Sequence, residues 1–465
     1  MQQDMVEHHF YTSLSPNYNS ARCPILIDQQ QTSNTIVPPC SSGYCQHRRG
    51  GVAPPVLFTN NSNFIVMRVI VGEDTILPFF KIENSFVPFP QNWVFTFANI
   101  GCIIIYGYKN VLSQHISTQG GITMSQQTIL QPGKLLNEKG DLCQAGYATS
   151  LIKEYNRKDI KASGWRIKEW DYYYIGNDER GIALTIADNS YMSLVSASYL
   201  DFVNKTYVTD SEMGFFTFGK LKLPPTSAEG DIVYNSKRVQ MSFCFVDGKR
   251  VLKCTFNKWG KQKQLFEVYA ELTDEPRDSM VIATPFDKPK HFYYNQKINC
   301  MSANCTFSIG GEEQKFDGLA VLDWGRGVWT YKNTWYWGSL NTIVDGRKVG
   351  FNIGYGFGNT DAASENMIFV DGICHKVDRL TFDIPVDDKG KDDFLSPWKI
   401  VSNDGKMNLT FEPILDRADV MSVVVLASNQ HQVFGRFFGD LVLDDGSVIT
   451  LTGQVGFAEK VFNKW

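Results

Sequence analysis

From about Gln126 to the end of the chain, apolar and polar residues alternate one by one in short runs, the period of a half-buried β-strand. Four pairs of such runs are joined through Asp-Gly. They are CFVDGKRVLKCTF at Asp247-Gly248, MIFVDGICHKV at Asp371-Gly372, KIVSNDGKMNLTF at Asp404-Gly405 and DLVLDDGSVITL at Asp445-Gly446. Glycine supplies the positive φ that a tight primed turn needs, so each predicts an antiparallel hairpin. Helical periodicity is scarce. Many strands at short spacing predict an all-β, mainly antiparallel protein of sandwich or barrel type. We expect two tandem β units, residues 121–310 and 311–465.

The N-terminal part reads differently. Residues 1–60 are rich in Gln, Asn, Ser and Pro with little periodicity, and predict a poorly ordered extension. Residues 61–120 are apolar but interrupted and receive no assignment. Within them, Asn84–Tyr108 carries no charge, yet Pro88, Pro90, Gln91, Asn92 and Asn99 interrupt it. About 14 mostly apolar residues remain, against the ~20 a membrane helix needs. Buried strands are favoured there, with membrane association through 84–108 as the alternative.

Composition narrows the field. The 465 residues are 43% hydrophobic, 13% aromatic and 20% charged, which predicts a folded body rich in aromatic packing. A net charge of -4 gives no attraction to a polyanion, so nucleic acid is not an expected partner. Ten scattered cysteines suit a reducing compartment, and MQQDMVEHHF lacks the features of a secretory signal. The expected location is cytoplasmic. Cys23, Cys40, Cys45 and His47 fit no zinc spacing, so no metal is expected. Phosphate-cradling and dinucleotide loops are absent, as are the H-E-x-x-H and G-x-S-x-G motifs, so no cofactor is expected.

The densest chemistry lies in LDWGRGVWTYKNTWYWGS, Leu322–Ser339, with Asp323, Arg326, Trp324, Trp329, Trp335 and Trp337. In an extended strand Asp323, Gly325, Gly327, Trp329 and Tyr331 share one face, and Trp324, Arg326 and Val328 the other. A bulge at Gly325 or Gly327 would re-aim Asp323 and Arg326 toward one another. Burial in an aromatic pocket would raise the Asp323 pKa and make it a proton donor, with Arg326 orienting it. The competing reading is a core in which the two simply pair. In FNIGYGFG, Phe351, Ile353, Tyr355 and Phe357 face away from Asn352, Gly354, Gly356 and Gly358, which predicts either room for a ligand beside Asn352 or a close backbone approach. EWDYYY sets Glu169, Asp171 and Tyr173 against Trp170, Tyr172 and Tyr174, the acids being expected on a solvated face. Asp188 and Tyr191 form a second polar set, and Glu365 follows the tryptophan block.

Residues 126–465 resemble the family known as domain of unknown function 2804. The blocks that carry this are ILQPGKLLNEKGDL, WRIKEWDYYYIGNDERGIALTIADNSY, the tryptophan block, VGFNIGYGFGN, SENMIFVDG, VFGRFFG and VGFAEKVFNKW. More distantly, the family is similar to carotenoid hydratases and tocopherol cyclase. That resemblance implies two lipocalin-like barrels around an apolar pocket, and it supplies no catalytic set.

The leading expectation is a protein that binds a lipophilic small molecule and acts on it by acid-assisted hydration, cyclisation or isomerisation, as a lyase or isomerase. Asp323 and Arg326 would be the catalytic residues. Trp324, Trp329, Trp335, Trp337, Asn352, Tyr355 and Glu365 would bind the ligand. The alternatives are a carbohydrate-active enzyme with Asp323 and Glu365 as paired carboxylates, and a lipid carrier without catalysis.

Overall fold

The computed structural model describes residues 127–423 and 426–464 continuously, and six strands between residues 56 and 105. The chain forms two compact units, Met1–Gly121 and Ile122–Trp465. In the first, Val56–Asn60, Asn63–Val71, Ile76–Ile82 and Ser85–Pro88 make a four-stranded antiparallel sheet, and Phe95–Ala98 pairs with Cys102–Ile105. The uncharged run 84–108 therefore contains three short strands. No helix among the described residues is long and apolar enough to cross a membrane. Residues 1–55, with the Cys23, Cys40, Cys45 and His47 set and most of the expected disordered extension, lie outside the described residues.

The second unit is all-β and contains two large antiparallel sheets. The first is built from β1 (Ile167–Gly176), β2 (Arg180–Asp188), β3 (Met192–Asp201), β4 (Thr206–Phe215), β5 (Ile232–Asn235), β6 (Val239–Val246), β7 (Lys249–Trp259), β8 (Gln264–Thr273), β9 (Met280–Pro285), β10 (Phe292–Ile309) and β11 (Glu312–Val328). Its order is β4-β3-β2-β1-β11-β10-β8-β7-β6-β5, and β9 pairs with the first part of β10. The second sheet comprises β12 (Lys332–Val344), β13 (Arg347–Tyr355), β14 (Met367–Val370), β15 (Ile373–Lys376), β16 (Leu380–Asp383), β17 (Trp398–Ser402), β18 (Met407–Val423), β19 (Leu426–Val442) and β20 (Val448–Lys464). Its order is β15-β14-β13-β12-β20-β19-β18-β17-β16.

All four Asp-Gly pairs lie in hairpin turns. At Asp247-Gly248 and Asp371-Gly372 both residues have positive φ, 51° and 77° then 49° and 78°, as a two-residue primed turn requires. The chain passes between the sheets at 329–331. The junction expected near residue 310 is instead the Gly310–Gly311 turn joining β10 to β11 inside the first sheet.

Each sheet curls around its own apolar core. Leu184, Phe256, Phe266, Phe307 and Trp324 belong to the first, and Phe351, Trp398, Phe411 and Phe437 to the second. Strand alternation gives the central strands a second buried face, and these faces meet between the sheets. Tyr172, Tyr174, Trp337, Phe434 and Phe457 form one cluster there, and Tyr293, Trp329, Phe357 and Met367 another.

The bulge expected at Gly325 or Gly327 does not occur, because β11 runs in unbroken register with β1 and β10 through that stretch. The irregularity falls on β10, between Ile298 and Met301. Gly325 has a different purpose. A Cβ there would lie 2.0 Å from the Trp170 ring, so the missing side chain lets Trp170 lie flat over β11. Gly325→Ala should therefore destabilise the fold by roughly 1–3 kcal/mol through overpacking. Thermal unfolding against Gly164→Ala, whose added methyl meets nothing within 4 Å, checks this.

Candidate functional site

The two large sheets face one another with complementary polar rows. On the first, Tyr172, Asp323 and Lys297 lie side by side on β1, β11 and β10. On the second, Trp337, Glu459, Gln432 and Arg417 lie side by side on β12, β20, β19 and β18. The loop after β13 adds Glu365.

Lys297 joins the pieces. Only 2% exposed, it sets its Nζ 2.6 Å from Glu365 Oε2 and 4.1 Å above the centre of the Trp337 ring. The Asn352 amide donates to the Glu365 carboxylate and to its backbone carbonyl, both at 2.9 Å, and accepts from the Trp337 indole at 2.7 Å. A Cβ on Gly354 would lie 2.5 Å from Glu365 Oε1, so the bare face of β13 is occupied by that carboxylate. The space expected beside Asn352 is thus filled by the protein itself.

Asp323 is buried in the same layer and accepts from Asn295 at 2.6 Å, with the Trp170 side chain close by. Burial holds its carboxyl above the ordinary aspartate range, and the charge of Glu365 adds to this, while Lys297, the Asn295 amide and Trp170 oppose it. Glu459 accepts from the Trp335 indole and from Gln432, each at 3.0 Å. Burial pushes its carboxyl up to about 7, despite those hydrogen bonds and the charges of Lys297 and Arg417. The Tyr172 hydroxyl lies near Gln432 but forms no well-aligned hydrogen bond with it. Trp329 Nε1, Asn295 Oδ1 and Gln432 Oε1 are likewise buried without a partner. Most buried polar groups are satisfied, so this grouping sets the layer apart from an ordinary core. Trp329, Trp335, Trp170, Tyr293 and Phe357 wall the layer with edge-on and stacked rings at 4.7–5.8 Å.

Asp323, Trp329, Trp335, Trp337, Asn352 and Glu365 therefore come together. Arg326, Trp324 and Tyr355 do not. Without a bulge, Arg326 and Trp324 stay on the opposite face of β11, inside the first core. Arg326 is fully buried, donates to Asp171 at 3.0 Å and to the Trp170 and Pro224 carbonyls, and stacks over Trp324 at 4.3 Å. Its partner is Asp171, and it cannot orient Asp323. Tyr355 faces the second core, stacked on Tyr336 at 4.5 Å. Phe357 lies beyond the end of β13 and turns to the interlayer, away from the face expected for it.

Glu169 and Asp171 are not solvated either. They are 2% and 5% exposed inside the first core, where Glu169 accepts from Tyr155 and pairs with Arg157. Asp188 meets this set within the first sheet and not across the two sheets: it is the cross-strand partner of Glu169, and it accepts from the Ser190 and Gly219 amides and the Thr217 hydroxyl. Sequence reasoning missed Lys297, Glu459 and Gln432. The one available signal was polar residues recurring at alternate positions in otherwise apolar strands, as at Asn295, Lys297 and Asn299. Among the described residues no group of three or more His, Cys, Asp or Glu is placed to hold a metal ion.

Residues 126–465 match the model of the domain of unknown function family DUF2804. The chain belongs to this family. No curated protein matches it. Among solved structures it is similar to an AttH-assigned protein from Nitrosomonas europaea, at 12% identity and a TM-score of 0.45 over 67% of this chain and 98% of that one. It is also similar to kievitone hydratase from Nectria haematococca, at 10% identity and 0.35 over 71% and 98%. A third is CghA, crystallised with Sch210972, at 9% identity and 0.33 over 72% and 97%. These likenesses assign no residue roles; those rest on the geometry above.

The Glu459 shift has a consequence for stability. Its folded pKa lies above its unfolded value near 4.5, so the folded state keeps a proton that the unfolded chain releases. Stability from this group is full below about pH 4.5 and is lost as the pH rises toward about 7, by roughly 3 kcal/mol in all. Glu459→Gln should remove that component. Denaturant unfolding of both proteins from about pH 4.5 to about pH 8 measures it, and parallel curves would refute the assignment.

Proposed function

We propose that the layer between the sheets binds a mainly apolar small molecule and transfers a proton to it from Asp323, in a hydration, cyclisation or isomerisation. The observation that carries this reading is a carboxyl with raised proton affinity, enclosed by tryptophan rings and bordered by buried polar atoms without partners. Asp323 is the proton donor. Trp170, Trp329, Trp335 and Trp337 supply apolar walls, and the ring faces other than that of Trp337, which Lys297 covers, would stabilise a cationic substrate. Glu459, with a carboxyl near neutrality, is suited to take up a proton at a second position, as an isomerisation requires. The Lys297–Glu365 pair fixes the floor of the site and keeps Asn352 and Trp337 in place.

Paired-carboxylate chemistry on a sugar is less well supported. Asp323 and Glu365 are both 7% exposed, with Lys297 paired to one and acting on the other, and neither flanks an open cleft.

Native mass spectrometry of the purified full chain, followed by extraction and identification of any bound molecule, tests the ligand class. An apolar molecule is expected, and recovery of a sugar would overturn the reading. With that molecule or its congeners as substrate, Asp323→Asn should lower kcat by about 10²- to 10⁴-fold while the unfolding midpoint changes little. Unchanged turnover would remove the acid role, and a bound molecule that is never converted would make the protein a carrier.

A further inference from the structure

One surface of the first sheet is unusual in its combination of exposed aromatics and basic charge. Where β4 ends, the sequence MGFFTFGKLK leaves Met213, Phe215, Phe216 and Phe218 exposed, Phe216 at 58%. Trp165, 52% exposed in the short turn before β1, meets Phe216 and Phe218 edge-on at 6.0 and 4.8 Å. Phe216 and Phe218 have φ of 56° and 47°, a region bulky residues rarely enter. They are held there. The Phe216 and Phe218 amides donate to the Tyr191 and Ser190 carbonyls, and the buried Asp188 carboxylate accepts from Thr217 Oγ1 at 2.8 Å and from the Gly219 amide at 2.9 Å. The backbone is thus fixed so that the rings stand outward, against the usual tendency of apolar groups to be covered.

The charge around this patch is opposite to that of the chain. Residues 158–166 and 213–222 together contain Lys158, Lys161, Arg166, Lys220 and Lys222 against the single acid Asp159, in a protein of net charge -4; Arg157 is paired with Glu169 and Lys168 is buried, so neither adds to the surface charge. Lys158, Lys161, Lys220 and Lys222 are exposed. Beyond Trp165 the surface continues to exposed Tyr331, which lies under Arg166 at 5.3 Å and Lys464 at 5.8 Å. The Trp329 amide donates to the Arg166 carbonyl, so the patch adjoins the aromatic wall of the interlayer site.

We propose that this surface docks the protein on an anionic lipid membrane, with Trp165, Phe216 and Phe218 entering the interface and the surrounding lysines and Arg166 facing lipid headgroups. Exposed aromatics with a cationic rim suit the junction between acyl chains and negative headgroups. A second copy of the chain fits less well, since a two-fold interface would set this basic patch against itself. The inference stands whether or not the interlayer site is catalytic.

Co-sedimentation of the full chain with vesicles tests it. The protein should pellet with vesicles of phosphatidylcholine mixed with phosphatidylglycerol, bind phosphatidylcholine alone far more weakly, and be released by salt. Phe216→Asn combined with Phe218→Asn suits the local backbone, because asparagine tolerates positive φ. That variant, and Lys158→Glu combined with Lys220→Glu, should each weaken binding by at least about tenfold with an unchanged unfolding midpoint. Trp165→Ser gives a further apolar variant should the asparagine pair fail to fold. Absence of binding to the anionic vesicles, or equal binding by the variants, would overturn the proposal. So would a dimer, seen by light scattering, that the asparagine variant dissolves.

Discussion

A lysine buried in a central strand dictates the arrangement between the two sheets. Lys297 lies a third of the way along β10 and is almost wholly withdrawn from water, so its charge requires a counter-ion held inside the protein. Glu365 provides it from a loop that belongs to the other sheet. The loop cannot shift freely, because Asn352 holds both the carboxylate and the backbone of Glu365 while also receiving the Trp337 indole. Gly354 leaves the volume that Glu365 fills. One desolvated ammonium thereby fixes a loop, an amide, a tryptophan and a glycine in mutual register. Replacing either charge alone would strand the other in an aromatic interior, which is costlier than never having the pair.

The neighbouring strand β11, which carries Asp323, has a second, separate charge system on its other face. Arg326 and Asp171 neutralise each other in the first core, a strand's thickness from Asp323 and Lys297. Burial raises the proton affinity of both Asp171 and Asp323, but only Asp171 has an arginine in contact. The arginine nearest Asp323 in sequence therefore stabilises the barrel, whereas the cation acting on Asp323 comes from β10.

Strand alternation made much of this legible in the sequence. It separated Asp323 from Arg326 and Glu169, Asp171 and Tyr173 from Trp170, Tyr172 and Tyr174, and the Asp-Gly pairs marked hairpins. The glycines of the tryptophan block misled because a glycine in a strand signals either a bulge or a neighbour's bulk. Only the packed structure shows that Trp170 occupies the space at Gly325. Lys297 and Glu459 were not legible as site residues, since their importance arises from two sheets laid face to face, a contact no local pattern encodes. The acids of β1 were misjudged for a related reason: carboxylates are mostly exposed, but a barrel interior that supplies Tyr155, Arg157 and Arg326 can hold them.

The charge balance of the interlayer explains why it contains groups ready to exchange protons. Lys297 and Arg417 face Asp323, Glu365 and Glu459, so full ionisation would leave an excess negative charge among tryptophan and tyrosine rings. The ion pair commits Lys297 chiefly to Glu365. Arg417 donates to Ser198 and acts on Glu459 from a distance, while neutral indole and amide groups make the direct contacts. A medium of low polarity resolves such an excess by keeping a carboxyl protonated, and burial is the leading cause of the upward shift at both Asp323 and Glu459. Surplus acid, enclosed and only partly balanced, thus raises the proton affinity of carboxyls inside a structural polar layer.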